Sequence, residues 1–123
     1  MIVLDTTVLI DLLRGRASAL EYLRALPEVP VCSEVTRVEV LRGLRHRERD
    51  AAEALMRSIR WIGLDEHIAR RAGALGRTWR RSHTIGTADL IIAATAQELG
   101  GELATSNTKH YPIFASLEPP YEA

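Results

Sequence analysis

The chain has 123 residues, of which 46% are hydrophobic and 26% are charged, and its formal net charge is zero. This size and composition are typical of a globular protein with one core, so we treat residues 1–123 as a single domain. The zero net charge excludes proteins that bind nucleic acid through a strong overall positive charge. No apolar stretch is long enough to span a membrane, and no signal peptide precedes the first apolar run. With Cys32 as its one cysteine, unable to form an internal disulfide, the chain is predicted to be cytoplasmic.

Short apolar runs alternate with helix-like segments along the whole chain. The predicted strands are residues 1–4, 30–33, 60–64 and 102–105. The predicted helices are residues 7–14, 18–26, 36–46, 49–59, 65–81 and 87–99. This alternation favours an α/β fold built on a parallel sheet.

Several positions define the predicted helix ends and faces. The third helix is expected to begin at Thr36 and to bury one apolar face, formed by Val38, Leu41 and Leu44. Asp65 is the expected cap of the fifth helix and Thr87 of the sixth, which is expected to stop at residues 100–101, two glycines. The proline-containing tail is expected to add a short edge strand or to contact a partner.

Three acidic residues interrupt apolar sequence, which is where an unpaired charge is costly. Asp5 follows the first predicted strand, Glu39 lies in the third helix between apolar neighbours, and Asp89 opens the most apolar helix. The ends of parallel strands and the loops after them converge at one edge of a sheet. Because Mg²⁺ prefers carboxylate oxygens, water and phosphate as ligands, a metal ion is the leading candidate to compensate these charges.

Each acid also has a purely structural interpretation. Asp5 is placed to cap the first helix by accepting the backbone N–H groups that follow it. Glu39 is spaced to complete a capping box with Thr36, and Asp89 lies in a first helical turn, where the dipole stabilises negative charge. These interpretations explain each acid separately, but they do not explain why all three interrupt apolar sequence.

Fifteen of the sixteen basic residues are arginine, the exception being Lys109. Many of them fall into two groups: Arg42, Arg45, Arg47 and Arg49, and then Arg70, Arg71, Arg77, Arg80 and Arg81. Arginine binds phosphate bidentately and stacks on bases, so the groups are candidates for a basic rim around an acidic centre. The alternative is that they simply face solvent in a protein that prefers arginine to lysine.

Four blocks of the sequence resemble PIN-domain ribonucleases. The first is Ile-Val-Leu-Asp-Thr-Thr-Val-Leu-Ile at residues 2–10, and the second is Ser-Glu-Val-Thr-Arg-Val-Glu-Val-Leu-Arg-Gly at 33–43. The third is Ala-Asp-Leu-Ile-Ile-Ala-Ala-Thr-Ala at 88–96, and the fourth is Leu-Ala-Thr-Ser-Asn at 103–107. Their order and spacing resemble the VapC toxins of bacterial toxin–antitoxin pairs along nearly the whole chain.

The resemblance implies a fold, an activity and partners. It implies a single PIN-like domain in which helices flank both faces of a parallel β-sheet, a three-layer α/β/α arrangement. It implies a Mg²⁺- or Mn²⁺-dependent endoribonuclease that acts as a toxin, cuts RNA, forms a homodimer and is neutralised by a small VapB-like antitoxin. No membrane partner is implied.

The resemblance also assigns roles to residues. Asp5, Glu39 and Asp89 become the catalytic, metal-binding triad, with Glu39 a candidate general base. Thr6, or the threonine after it, is expected to position water or substrate through its hydroxyl. Many relatives have a fourth acid where this chain has Asn107, whose amide oxygen can bind a cation or position water or substrate but lends less charge. The alternative is that Asn107 is only a turn residue. The number of metal ions therefore stays open.

The sequence does not fit two other classes of protein that place an aspartate after the first strand. A haloacid-dehalogenase-like phosphatase requires a second aspartate two residues after the first, and Thr7 stands there. A receiver domain requires paired acids ahead of its phosphorylated aspartate, and the chain lacks that pair. The serious alternative is a catalytically weakened PIN-fold module that binds RNA or protein, and Asn107 is the residue that motivates it.

Overall fold

The computed structural model describes residues 1–122, which form a four-stranded parallel sheet with helices on both of its faces. The strands are β1 (Ile2–Leu4), β2 (Val31–Ser33), β3 (Arg60–Ile62) and β4 (Glu102–Ala104). The helices are α1 (Thr6–Leu13), α2 (Ala17–Ala25), α3 (Glu34–Arg42), α4 (Arg49–Arg57), α5 (Glu66–Trp79) and α6 (Thr87–Leu99). The predicted α/β fold is confirmed. Within residues 1–122, no helix is both long and apolar enough to cross a bilayer.

The two faces of the sheet pack into separate parts of the core because side chains alternate along each strand. On one face, a cluster with α1 to α4 includes the strand residues Leu4, Cys32 and Ala104. On the other face, a cluster with α6 and the segment after β4 includes the strand residues Val3, Val31 and Leu103. Both sets are buried, so the three-layer arrangement follows directly from the apolar runs of the sequence.

The predicted caps are confirmed at some helix ends and wrong at others. Asp65 caps α5, since its carboxylate accepts a hydrogen bond from the Ile68 backbone N–H at 2.8 Å. Gly100 ends α6 in the left-handed conformation, with φ of 63°, which favours glycine. Thr87 does not cap α6, because the capping position is one residue earlier, at Gly86. Nor does Thr36 begin α3, because the Ser33 hydroxyl caps that helix.

The predicted buried face of α3 is wrong. Val38 and Leu41 are 61% and 44% exposed, whereas Thr36 and Val40 are buried. The segment is helical, as predicted, but spacing alone does not identify the inward face. Here the inward face carries a threonine, whose hydroxyl contacts another hydroxyl.

The tail after β4 forms no strand within the described residues, so the predicted edge strand is wrong. Instead, the tail returns to α1 and α2. The Tyr121 hydroxyl donates a hydrogen bond to Asp11 at 2.7 Å, and its ring lies 5.9 Å from the Tyr22 ring. The last described turns of the chain therefore cover the first two helices.

Candidate active site

Asp5 lies at the one place in the sheet where the direction of chain progression reverses. The strand order is β3-β2-β1-β4, so the chain moves outward from β1 through β2 to β3 and then returns to the other side of β1. Open α/β sheets bind ligands at such a switch point, outside the carboxyl ends of the strands. Asp5 directly follows β1, and its backbone N–H donates to the Ala104 carbonyl of β4 at 2.9 Å.

The Asp5 carboxylate is almost fully buried and accepts hydrogen bonds from three hydroxyl groups. Asp5 is 3% exposed. Its Oδ2 accepts from the Thr105 hydroxyl at 2.6 Å and the Thr7 hydroxyl at 3.0 Å, and its Oδ1 accepts from the Tyr111 hydroxyl at 2.7 Å. The side chain makes no capping bond to α1, so the structural interpretation of Asp5 as a helix cap is wrong.

Tyr111 joins the first predicted acid to the third. Its hydroxyl, which donates to Asp5, also lies 3.2 Å from Oδ1 of Asp89. The other Asp89 oxygen lies 3.2 Å from Nδ1 of His110. Partial burial and the negative charge of Asp5 raise the pKa of the Asp89 carboxyl, and the charge of Glu39 acts in the same direction.

Glu39 reaches the same region from α3 through Thr6. The Thr6 hydroxyl donates to Oε1 of Glu39 at 2.6 Å, and Oγ1 of Thr36 lies 3.0 Å from the same hydroxyl. The capping box predicted for Glu39 and Thr36 does not form, because Thr36 is buried inside α3 rather than at its start. Thr6 is therefore a partner of Glu39 within the protein.

The three carboxylates have no arginine or lysine to balance them. Within residues 1–122, the ion pairs of Asp5, Glu39 and Asp89 include no such partner, and only His110 approaches one of them. Asp11 provides the contrast, since it accepts from a phenol but also pairs with Arg16 at 3.4 Å. Uncompensated carboxylates in a partly buried site are a donor set that suits a hard divalent cation.

The donor set fits a cation that keeps part of its hydration shell. Residues 1–122 hold no group of three or more His, Cys, Asp or Glu side chains arranged to hold a metal ion. Mg²⁺ commonly uses only one or two carboxylates, with water and substrate phosphate completing its octahedron. Asp5 and Asp89, brought together by Tyr111, meet that requirement, and Glu39 adds a third charge that acts on Asp89.

Asn107 contacts residues that surround the acids. Its backbone N–H donates to the Thr105 hydroxyl at 3.0 Å, and its side-chain amide lies 3.2 Å from the His110 ring. No hydrogen bond joins Asn107 to Asp5 in the described chain.

Sequence reasoning missed Thr105, His110 and Tyr111. Thr105 carries a signal that would have found it, because it directly follows β4, the neighbour of β1, just as Asp5 follows β1. No sequence pattern marks Tyr111, which lies in an irregular segment where its partners are set by tertiary structure alone. Burial and the charges of Asp5 and Asp89 raise the pKa of its phenol well above the ordinary range, so it stays protonated.

The comparisons with known proteins agree with this geometry. Residues 2–113 match the family model described as PIN domain. Ribonuclease VapC19 of Mycobacterium tuberculosis (strain CDC 1551 / Oshkosh) is 41% identical over 125 residues, covering 98% of this chain and 100% of that protein. Ribonuclease VapC10 of the same strain is 43% identical over 124 residues, covering 98% of this chain and 93% of that protein.

A solved structure gives the same result in three dimensions. A toxin–antitoxin complex from Klebsiella pneumoniae contains a chain with a TM-score of 0.84 and 34% sequence identity, and both chains are covered completely. The family model spans most of the chain, and the similarity to the two ribonucleases extends over nearly all of it. The chain therefore belongs to the PIN domain family.

Proposed function

We propose that this protein is a metal-dependent endoribonuclease and the toxin of a toxin–antitoxin pair. One observation carries the proposal. Asp5 and Asp89 come together across the Tyr111 hydroxyl at the switch point of a parallel sheet, without an arginine or lysine to balance them. The similarity to two named VapC ribonucleases, at 41% and 43% identity over nearly the full chain, supports RNA as the substrate.

Asp5, Glu39 and Asp89 are the proposed catalytic and metal-binding residues. Asp5 and Asp89 hold the ion, directly or through water. Glu39 completes the cluster or takes the proton of the attacking water. The Thr6 hydroxyl donates a hydrogen bond to Oε1 of Glu39 at 2.6 Å, so the role of Thr6 is to position that carboxylate.

Mg²⁺ or Mn²⁺ is the proposed cofactor. When bound, the ion supplies positive charge against the scissile phosphate and favours ionisation of a nearby water. The protein's own contribution is to hold partly buried carboxylates that repel one another. This repulsion makes the site favour a cation. The hydroxyls of Thr7, Thr105 and Tyr111 hold the Asp5 carboxylate in one orientation.

The test combines metal binding with RNA cleavage. Calorimetric titration with Mn²⁺ and cleavage of total RNA with and without EDTA are measured for the wild type, Asp5→Asn and Asp89→Asn. Asp11→Asn is the matched control, because Asp11 also accepts from a phenol but has an arginine partner. We expect Asp11→Asn to bind metal and cut RNA like the wild type, and the other two variants to lose both. Equal cleavage by all four proteins in EDTA would show that the mechanism is wrong.

The toxin role implies a protein partner. The Klebsiella pneumoniae relative was solved as a toxin–antitoxin complex, and that likeness supports a VapB-like antitoxin for this chain. Expression without the antitoxin is expected to arrest growth, and co-expression to restore it. Normal growth with verified folded protein would count against the toxin role. A homodimer remains a prediction, to be checked by light scattering coupled to gel filtration.

The alternative is a PIN-fold module that binds RNA or protein but cuts weakly. Asn107 favours it, because its amide contacts His110 and supplies no fourth carboxylate to the centre. Calorimetric titration with Mn²⁺ separates the two functions. No binding at millimolar Mn²⁺ would favour the module without catalysis.

A further inference from the structure

The arginines of the second basic group divide into a set with glutamate partners and a set without. Arg70 pairs with Glu66 at 2.7 Å, and Arg71 pairs with Glu98 at 2.5 Å. Three others, at the end of α5 and in the loop after it, have no acidic partner within the described chain: Arg77, Arg80 and Arg81. All three are exposed, so their charges are available to a ligand.

The two sets lie toward opposite ends of α6, because α5 and α6 form an antiparallel pair. Arg71 of α5 contacts Glu98 near the end of α6, whereas Gly76 of α5 packs against Leu90 near the start of α6. Asp89 and Glu98 are nine residues apart in α6, which is roughly 14 Å along its axis. The three unpaired arginines therefore lie at the same end of the pair as Asp89 and the carboxylate centre.

Aromatic groups lie among these arginines. The ring of Trp79 is half-buried and meets the ring of His83 edge to face, with 5.5 Å between centroids. The loop turns back over the end of α5 because the Ser82 and His83 backbone N–H groups both donate to the Trp79 carbonyl. A cleft of about 190 Å³ lies beside them, lined by Gly76, Trp79, Arg80, His83, Thr84 and Ile85.

We propose that this surface, which we call the basic lip, is where single-stranded RNA enters the carboxylate centre. The basic lip consists of Arg77, Trp79, Arg80, Arg81 and His83. Arginines that contact phosphates and aromatic rings that stack on bases are the two elements of sequence-tolerant binding to single strands. The inference rests on the proposed ribonuclease function, because RNA is its ligand.

Charge gives the lip a necessary role. Three carboxylates at the centre repel a polyanion, so RNA requires positive charge beside them until it meets the metal. Arg70 and Arg71 do not serve this purpose, since their charges are already paired with glutamates. The loop that carries Arg81 leads through Gly86 directly into α6, the helix that supplies Asp89.

The test compares two double variants that each remove two positive charges. Arg80→Gln with Arg81→Gln changes the lip, and Arg70→Gln with Arg71→Gln is the matched control. Binding of a fluorescein-labelled single-stranded RNA of about 16 nucleotides is measured by anisotropy in EDTA, over a range of salt concentrations. Circular dichroism verifies that both variants are folded.

We expect the lip variant to bind about tenfold more weakly than the wild type at low salt, with the control unchanged. Two lost phosphate contacts should also reduce the slope of log affinity against log salt by about 1.4. His83→Ala should weaken binding about fivefold or more with an unchanged slope, because stacking does not release counterions.

Equal affinities and slopes for the two double variants would overturn the inference, and they are the result expected if the lip binds an acidic protein partner instead of RNA. If the wild type still cuts RNA in Mn²⁺ when the two double variants are equal, the inference fails but the proposed function stands. If the wild type neither binds the RNA in EDTA nor cuts total RNA in Mn²⁺, the proposed function and the inference fail together.

Discussion

Replacing Tyr111 with phenylalanine removes the hydroxyl that joins Asp5 to Asp89 while keeping the ring that fills the core. Tyr111 is 1% exposed and Asp5 is 3% exposed, so water is not placed to replace the lost donor. The hydrogen bond to Asp5 is 2.7 Å long and has a carboxylate acceptor. Hydrogen bonds to charged groups contribute about 1.5–3 kcal/mol, and a phenylalanine leaves little cavity to add to this cost.

We therefore expect Tyr111→Phe to lower the free energy of unfolding of the metal-free protein by about 2 kcal/mol. Tyr121→Phe is the matched control. Its phenol also donates to a carboxylate at 2.7 Å, but Asp11 is 17% exposed at the side chain and has an arginine partner. Water and Arg16 remain available to Asp11 in Tyr121→Phe. The loss of unfolding free energy in that variant should therefore stay below about 1 kcal/mol.

The assay is urea denaturation in EDTA at a fixed protein concentration. The Tyr111→Phe midpoint should fall by roughly 1 M relative to the wild type. An equal slope would show that the change is in stability and not in the compactness of the unfolded chain. A loss for Tyr111→Phe no larger than that for Tyr121→Phe would refute the view that the phenol stabilises the buried carboxylate.

Three further predictions follow from burial, charge and backbone conformation. Asp89→Asn should stabilise the metal-free protein at neutral pH, because burial of the charge and its repulsion with Asp5 both raise the pKa of the Asp89 carboxyl; a loss of stability by urea denaturation would contradict this. Burial and the Asp5 charge raise the pKa of the Cys32 thiol from 9.0 to about 12. The resulting stability is fully present below pH 9.0 and lost as the pH rises toward 12, so Cys32→Ala should flatten this alkaline decline. Gly100→Ala should cost about 1 kcal/mol because its φ is 63°, whereas Gly63→Ala, with no atom within 4 Å of the added carbon, should be nearly neutral in thermal denaturation.

The elements that the sequence predicted correctly are those controlled by local rules. The four strands follow from short apolar runs, and the caps at Asp65 and Gly100 follow from side-chain and backbone chemistry within one turn. The predicted buried face of α3 was wrong. Val38 and Leu41 have helical spacing, but the face that points inward is set by the packing of α3 against α1 and α6. Local patterns carry no information about that packing.

The same distinction applies to the site. Asp5, Glu39 and Asp89 were found because a charge in apolar sequence is costly wherever it lies. Thr105 and Tyr111 are an ordinary hydroxyl and an ordinary phenol until the fold brings them to Asp5. The roles proposed for the three acids stay predictions until the metal-binding experiment is done.

Two of the three hydroxyl partners of Asp5 lie at the opposite end of the chain. Its carboxylate is held by hydroxyls that come 100 and 106 residues later, and β1 pairs with β4. A ribosome making this protein therefore has to synthesise most of the chain before the centre can assemble. The proposed ribonuclease activity cannot arise until that point, when the chain is nearly complete.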